Sequence, residues 1–329
     1  MTLLAPDAGE IERQAADNGR RYVEFSKTPT QPALETLEDV LSRRRPELQV
    51  RFYGFYREVC DLDFLKHIPS VRHLSVDCLW GEVRNVQRIG ELPKLRTLGV
   101  GIRSLQSVDF LETVPADLET LHLMEATRKA LSLKVLRRFQ KLRLLYVENL
   151  RKDVDTVAEL ALLEKLTLRS VTVPSLGFLK PLNNLRNLEL KLGGTTNLDA
   201  LPELAAVRRL EVWMVRKLVD LRVTAEMPEL EVLVLQDLPN VTSLPSYSRA
   251  AKLKMVTLLH LKSLTDISPV ADAPSLEAFA LLDARHCTPA TFQPLVGHPC
   301  LKRVHVGLGS ARANAAARDL FAGSRVAVQ

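Results

Sequence analysis

Two histidines and two cysteines lie close together late in the 329-residue chain, as His286-Cys287 and His298-Pro299-Cys300. Imidazole and thiolate are the ligands zinc prefers, and a thiolate beside an imidazole is also the start of a nucleophilic site. The spacing contains no C-x-x-C knuckle, however. Cys287 and Cys300 are expected to fill core or turn positions, as free cysteines commonly do. A metal- or thiol-dependent enzyme using this cluster is therefore the alternative reading. The leading reading is a chain with no enzymatic chemistry, no metal and no cofactor. Glu148, Glu189 and Glu211 are carboxylates on one predicted face, but acid–base work also needs a pocket. No glycine-rich phosphate loop, GxSxG turn or HExxH helix is present.

The elements that position these residues come from one recurring phrase: apolar, two variable residues, apolar, one variable, apolar. LRTLGV (Leu95–Val100), LETLHL (Leu118–Leu123), LRNLEL (Leu185–Leu190) and LEVLVL (Leu230–Leu235) are its clearest copies. The first copy starts at Val71 and the eleventh at Leu301, ten steps averaging 23 residues. A fixed period of this size means a solenoid. The fourth and sixth places share one face and the fifth takes the other, which is the period of a β-strand. Strands this far apart cannot form hairpins and must pair in parallel through crossovers. After each strand comes a second short apolar cluster, as in Asp63-Phe64-Leu65 and Gly177-Phe178-Leu179. Such clusters predict one or two turns of α- or 3₁₀-helix. Pro69, Pro93, Pro228, Pro274 and Pro299 sit two residues before the next phrase, where proline ends the outer segment and launches the strand.

The variable letters then fall into outward columns. The fifth-place column includes His122, Tyr146, Glu189, Glu211 and Val234; two residues further on come Met124, Glu148, Arg169, Lys191, Trp213, Leu259 and Leu282. Neighbouring strands are about 4.8 Å apart, so consecutive entries are near neighbours. The candidate partner-binding residues are His122, Met124, Tyr146, Glu148, Arg169, Glu189, Lys191, Glu211 and Trp213. Tyr, Trp and Arg most often anchor interfaces. The plainer reading is that these charges pair across strands and the rings cover backbone. Val232, Val234, Met255, Leu259 and Leu282, with Ala280, form a secondary apolar strip, for a hydrophobic partner, the chain's own tail or a second copy in a homo-oligomer.

The phrase, repeated this often, resembles the leucine-rich-repeat proteins. LTDISPVADAPSLEAFAL (Leu264–Leu281) is similar to the short repeats of bacterial internalins and of the phosphatase-1-regulating leucine-rich-repeat protein. The resemblance implies an α/β leucine-rich-repeat solenoid of about 11–12 repeats. It would be curved, with a parallel β-sheet on the concave side and short helices, 3₁₀ turns and loops on the convex side. It also implies a protein-binding concave face. One departure is clear. Where the family carries Asn or Cys three residues after the third apolar place, this chain has residues such as Arg103, Ala126, Gly193 and Gly309. Without an asparagine ladder the turn amides must find other partners, and a less uniformly curved solenoid is expected.

Residues 1–54 are read as an N-terminal cap with a helix over Pro32–Leu41 and an edge strand at Leu48–Phe52. Residues 55–309 form the solenoid, and 310–329 a C-terminal cap with an Ala311–Phe321 helix stopped by Gly323 and a last short strand at Val326–Val328. The chain is 46% hydrophobic and 26% charged, with a formal charge of +6. Its signs are interspersed, so a nucleic-acid partner is disfavoured; a protein partner is expected, with an effector, an immunity or regulatory protein, and a scaffold as the open roles. Four scattered cysteines point to a reducing, cytoplasmic setting rather than a disulfide framework, with secretion by a signal-less route left open. No apolar run reaches the roughly 18 residues of a membrane span.

Overall fold

A computed structural model of the chain describes residues 5–56, 58–103, 105–124 and 131–329. Ala126 and the first four residues therefore lie outside the described residues. The chain divides into two compact units, Met1–Leu163 and Glu164–Gln329. No helix among the described residues is long and apolar enough to cross a membrane.

In the first unit the strands Tyr22–Phe25, Gln49–Tyr53, His73–Asp77, Thr97–Val100, Thr120–Leu123 and Leu144–Glu148 pair in parallel and in step. A small second ladder joins Cys60–Asp61 to Val83–Arg84. The helices Ala8–Ala16 and Gln31–Asp39 begin at Asp7 and Thr30, whose side chains accept from backbone amides three residues on, the usual N-cap arrangement. The strand expected at the edge, around Leu48–Phe52, is instead an inner one. It pairs with His73–Asp77 on one side and with Tyr22–Phe25 on the other. Val23 and Phe25 are fully buried, so four residues of a polar stretch suffice once Phe52 stacks on Phe25 at 5.5 Å.

In the second unit the parallel strands are Lys165–Arg169, Asn187–Lys191, Arg209–Trp213, Val232–Gln236, Met255–Leu259, Ala278–Leu282, Arg303–Val306 and Ala327–Val328. The helix Ala311–Asp319 starts at Ser310, whose hydroxyl accepts from Ala313 N at 3.1 Å. The last strand pairs with Arg303 and Val304. In both units the outer connections are short, as in the 3₁₀ turns Leu62–His67, Asp109–Glu112 and Gly177–Leu179 and the single α-turn Ser268–Ala271.

The first, fourth and sixth places of the phrase fill the core. Leu185, Leu188 and Leu190 are 1%, 0% and 4% exposed, each burial favouring the folded chain by about 2 kcal/mol.

The missing asparagines have a backbone substitute. The residue after each of five consecutive strands in the second unit is left-handed: Ser170, Leu192, Met214, Asp237 and His260 have φ between 51° and 57°. That turn aims each amide at the last carbonyl of the next strand. Leu192 N donates to Trp213 O at 2.9 Å, Met214 N to Gln236 O at 2.9 Å and Asp237 N to Leu259 O at 3.0 Å. The ladder thus continues one residue beyond the sheet and satisfies amides that asparagine side chains would otherwise engage.

Candidate binding face

Residues whose side chains point away from the core lie in three columns, at the third, fifth and seventh places of the phrase. In the second unit, strand pairing sets Arg169 beside Lys191, Lys191 beside Trp213 and Glu189 beside Glu211. The charges here form one chain. Lys165 Nζ meets Glu189 Oε1 at 2.6 Å, and Lys191 Nζ bridges Glu189 Oε2 at 2.8 Å and Glu211 Oε1 at 3.0 Å. Arg209 closes the far end on Glu211 Oε2 at 3.2 Å. Thr167 donates its hydroxyl to Glu189 at 3.0 Å. Burial alone would raise the Glu189 pKa, but the hydrogen bonds from Lys165 and Lys191 reverse that and take it to about 2. Burial likewise opposes the Lys191 ammonium, and Glu189 and Glu211 together hold its pKa above the ordinary value.

Trp213 is half-buried at the border of this network. Its indole Nε1 donates to Asp237 Oδ2 at 2.9 Å, and the Arg169 guanidinium lies 5.4 Å from its ring centroid. Asp237 also receives Gln236 Nε2 at 3.0 Å and faces His260 Nδ1 at 2.5 Å. Burial opposes this carboxylate too, yet the bonds from His260, Trp213 and Gln236 hold its pKa below the ordinary value. The ring is therefore pinned in orientation rather than lying loosely on the sheet.

Beyond Trp213 lie the residues of the apolar strip. Val232, Val234, Met255, Leu259 and Leu282 are all half-buried, and pairing sets Val234 beside Thr257 and Leu259 beside Leu282. The chain's tail extends the sheet edge rather than crossing the strip. Gln329 bonds to Val304 and Val306 and borders a hollow of about 220 Å³ beside Met255 and Ala280.

In the first unit, the His122 and Tyr146 rings stack at 5.7 Å, 18° from parallel, and Tyr146 donates its hydroxyl to Glu148 at 2.9 Å. Met124 lies next to Gly101, its Cε 3.2 Å from where a Cβ would stand. All nine sequence-predicted candidates are half-buried except Glu189, which is buried.

The fifth and seventh columns omit Lys165 and Arg209, which stand at the third place and complete the ion chain. Period two puts the third place on the same face, so that signal was present in the strand. Asp237 and His260 belong to the left-handed turn and carry no periodic signal.

The histidine–cysteine cluster does not converge. His286 Nε2 bonds to Leu264 O at 2.7 Å, whereas His298 Nε2 bonds to Ala273 O at 3.0 Å. Cys287 is buried with its thiol on Leu264 O, and Cys300 is exposed. Among the described residues no three His, Cys, Asp or Glu side chains could hold a metal ion.

No family model matches the chain, and no curated protein matches it in sequence. Solved structures do. An internalin of Listeria monocytogenes is similar over 90% of this chain and 88% of its own, at 15% identity and a TM-score of 0.56. The chain has the leucine-rich-repeat fold. A leucine-rich-repeat protein of Leptospira interrogans is similar over 94% of this chain and 89% of its own, at 15% identity and a TM-score of 0.50. At these identities the likeness concerns backbone architecture. The leucine-rich-repeat strands place the outward columns, while the residues in those columns are this chain's own.

Proposed function

We propose that this leucine-rich-repeat protein is a non-enzymatic module that holds a protein partner on the outer face of its parallel sheet. The observation that carries the reading is Trp213 with the strip beyond it. A half-buried indole, fixed by Asp237 and flanked by Arg169, borders outward Val234, Met255, Leu259 and Leu282, and the tail lies elsewhere. An apolar strip edged by charge is the usual mark of an interaction surface. Pinned side chains on strands lose little ordering entropy when a partner docks. The ion chain from Lys165 to Arg209 is largely self-neutralised, so it serves register and water exclusion more than attraction. The geometry of His286, Cys287, His298 and Cys300 lends no support to metal or thiol chemistry there. Effector, immunity or regulatory, and scaffolding roles all suit such a module, and the free thiols agree with a cytoplasmic setting.

The test is a two-step one. A partner captured from source-cell extract is purified and titrated calorimetrically against wild type, a Trp213→Ala/Arg169→Ala double variant and Leu259→Glu. Each variant is expected to bind at least about 100-fold more weakly, in the range of interface hot spots, with melting temperature lowered by only a few degrees. Wild-type affinity in both variants would move the site off this face.

A further inference from the structure

Where strands of the second unit turn out of the sheet, a hollow of about 190 Å³ opens among Met214, Arg216, Asp237, Pro239, His260 and Lys262. Pockets for whole small ligands run from about 300 to 1,000 Å³, so this one suits a single side-chain head group. It adjoins the apolar strip, because His260 directly follows Leu259 and Asp237 holds the Trp213 indole.

Two of its groups are cations that the chain leaves uncompensated. In-step pairing of Trp213, Gln236 and Leu259 sets Arg216, Pro239 and Lys262 at one level, three residues further on. The repeats are still stacked there, since Asn240 Nδ2 donates to Arg216 O at 2.7 Å and Ser263 Oγ to Pro239 O at 2.7 Å. Arg216 and Lys262 therefore flank Pro239 about 10 Å apart, two strand spacings, and both long side chains can close on one group between them. Neither side chain has an ion pair or a hydrogen bond among the described residues. Pro239 offers them no polar side chain.

The acid in the hollow is already engaged. Asp237 faces His260 Nδ1 at 2.5 Å and accepts from Trp213 Nε1 at 2.9 Å and Gln236 Nε2 at 3.0 Å. The acids nearby are engaged too: Asp283 lies 3.7 Å from Arg285, and Asp220 lies 3.3 Å from Arg222. Lys217, next to Arg216, adds a positive charge. Arg216 and Lys262 against Asp237 thus leave the hollow positive by one with His260 neutral, and more so with it protonated. His260 Nε2 has no partner among the described residues, and it becomes a further donor when the ring is protonated.

We infer that this hollow holds a carboxylate of the protein partner, an Asp or Glu side chain set beside the apolar residues that meet the strip. The inference rests on the outer sheet face being the binding face. A guanidinium can fork a carboxylate with two hydrogen bonds, and an ammonium adds a point charge. A monoanion matches the hollow's single excess charge. A phosphate dianion exceeds it and is repelled more strongly by Asp237. A cationic head group would meet Arg216 and Lys262 unopposed, and an apolar one would strip their water and replace it with nothing.

The probe is Nα-acetyl-L-glutamate amide, titrated into ¹⁵N-labelled full-length protein at low ionic strength and followed by amide shifts. No partner is used, so failure here is distinguishable from failure of the Trp213 and Arg169 experiment. Saturable shifts are expected at Met214, Asp237, His260 and Lys262, with a dissociation constant of about 5–50 mM, as suits two solvent-exposed ion pairs. The uncharged isostere Nα-acetyl-L-glutamine amide should bind about tenfold more weakly or worse. Arg216→Gln and Lys262→Gln should each weaken the glutamate probe severalfold, and together about tenfold or more. Lys134→Gln, an exposed lysine of the first unit, should leave its binding unchanged. Melting temperature confirms that the variants fold. Equal binding of the glutamine probe, undiminished shifts in the folded double variant, an equal loss in Lys134→Gln, tighter binding of inorganic phosphate, or no saturable shifts up to about 200 mM would each overturn the carboxylate site.

Discussion

A carboxylate as enclosed as Glu189 would have its pKa raised if it stood alone, because burial favours the uncharged acid. Lys165 and Lys191 reverse this and set its pKa near 2. The consequence for stability has a definite sign. A folded pKa below the unfolded value of 4.5 stabilises the fold above pH 4.5, and that stabilisation is lost as pH falls towards 2. Denaturant unfolding across this window should show wild type losing about 2–3 kcal/mol more than Glu189→Gln; parallel curves would remove Glu189 as the cause. Lys191 acts at the other end. Its raised pKa stabilises below about 10.5 and ceases to do so as pH climbs past the folded value. Asp237 gathers Trp213, Gln236 and His260, and Asp237→Asn exchanges a charged acceptor for a neutral amide. A red-shifted Trp213 emission and a loss of about 1–3 kcal/mol are expected; unchanged emission would mean the indole is held by packing alone.

At the scale of the repeat, the strand exit carries most of the strain and most of the precision. Leu192 adopts φ 57°, a conformation that costs a leucine about 1–2 kcal/mol. Leu192→Asn is therefore expected to be neutral or to stabilise by up to about 1 kcal/mol. One residue later the outcome inverts. A Cβ on Gly193 would stand 2.3 Å from Val171 O, a backbone atom that cannot swing away, so Gly193→Ala should destabilise by about 2–4 kcal/mol. Comparative melts of the two variants check the pair. The contrast also shows what the sequence could disclose. Strand places were legible because two apolar letters flanking one variable letter impose period two, and Leu188 and Leu190 obey it. The left-handed exit was hidden, since Leu192, Met214 and His260 are not residues that announce such a turn. The ninth-place residues had announced only that asparagine was missing. Tyr22–Phe25 escaped for another reason: in four residues, two buried side chains are too few to reveal a period. Lys165 and Arg209, at the third place, carry the same period-two signal as the fifth and seventh places.

At the scale of the whole chain, three of the four thiols are sealed in. Cys60, Cys78 and Cys287 are buried and Cys300 is exposed. Cys78 beside it, together with burial, pushes the Cys60 thiol far up, and burial raises Cys287, so neither forms a reactive thiolate. Titration with an aromatic disulfide should modify one thiol quickly in the native protein and four after unfolding. Two or more fast thiols would show that one of the stacks opens readily. The stacks themselves should behave as linear arrays, where each repeat leans on its neighbours. Truncating Leu210, fully buried, to alanine should cost about 2–5 kcal/mol, and faster amide exchange should be centred on the strands either side. The strand exits give such an array an unusual freedom. Their amides are closed by the main chain of the following repeat, for instance Met214 N on Gln236 O, and not by a dedicated side chain. A repeat can therefore be exchanged for another like a tile, carrying a new triplet of outward letters while its junctions stay the same. The chain is thereby a natural starting point for graft libraries, in which the recognition surface is rewritten one tile at a time.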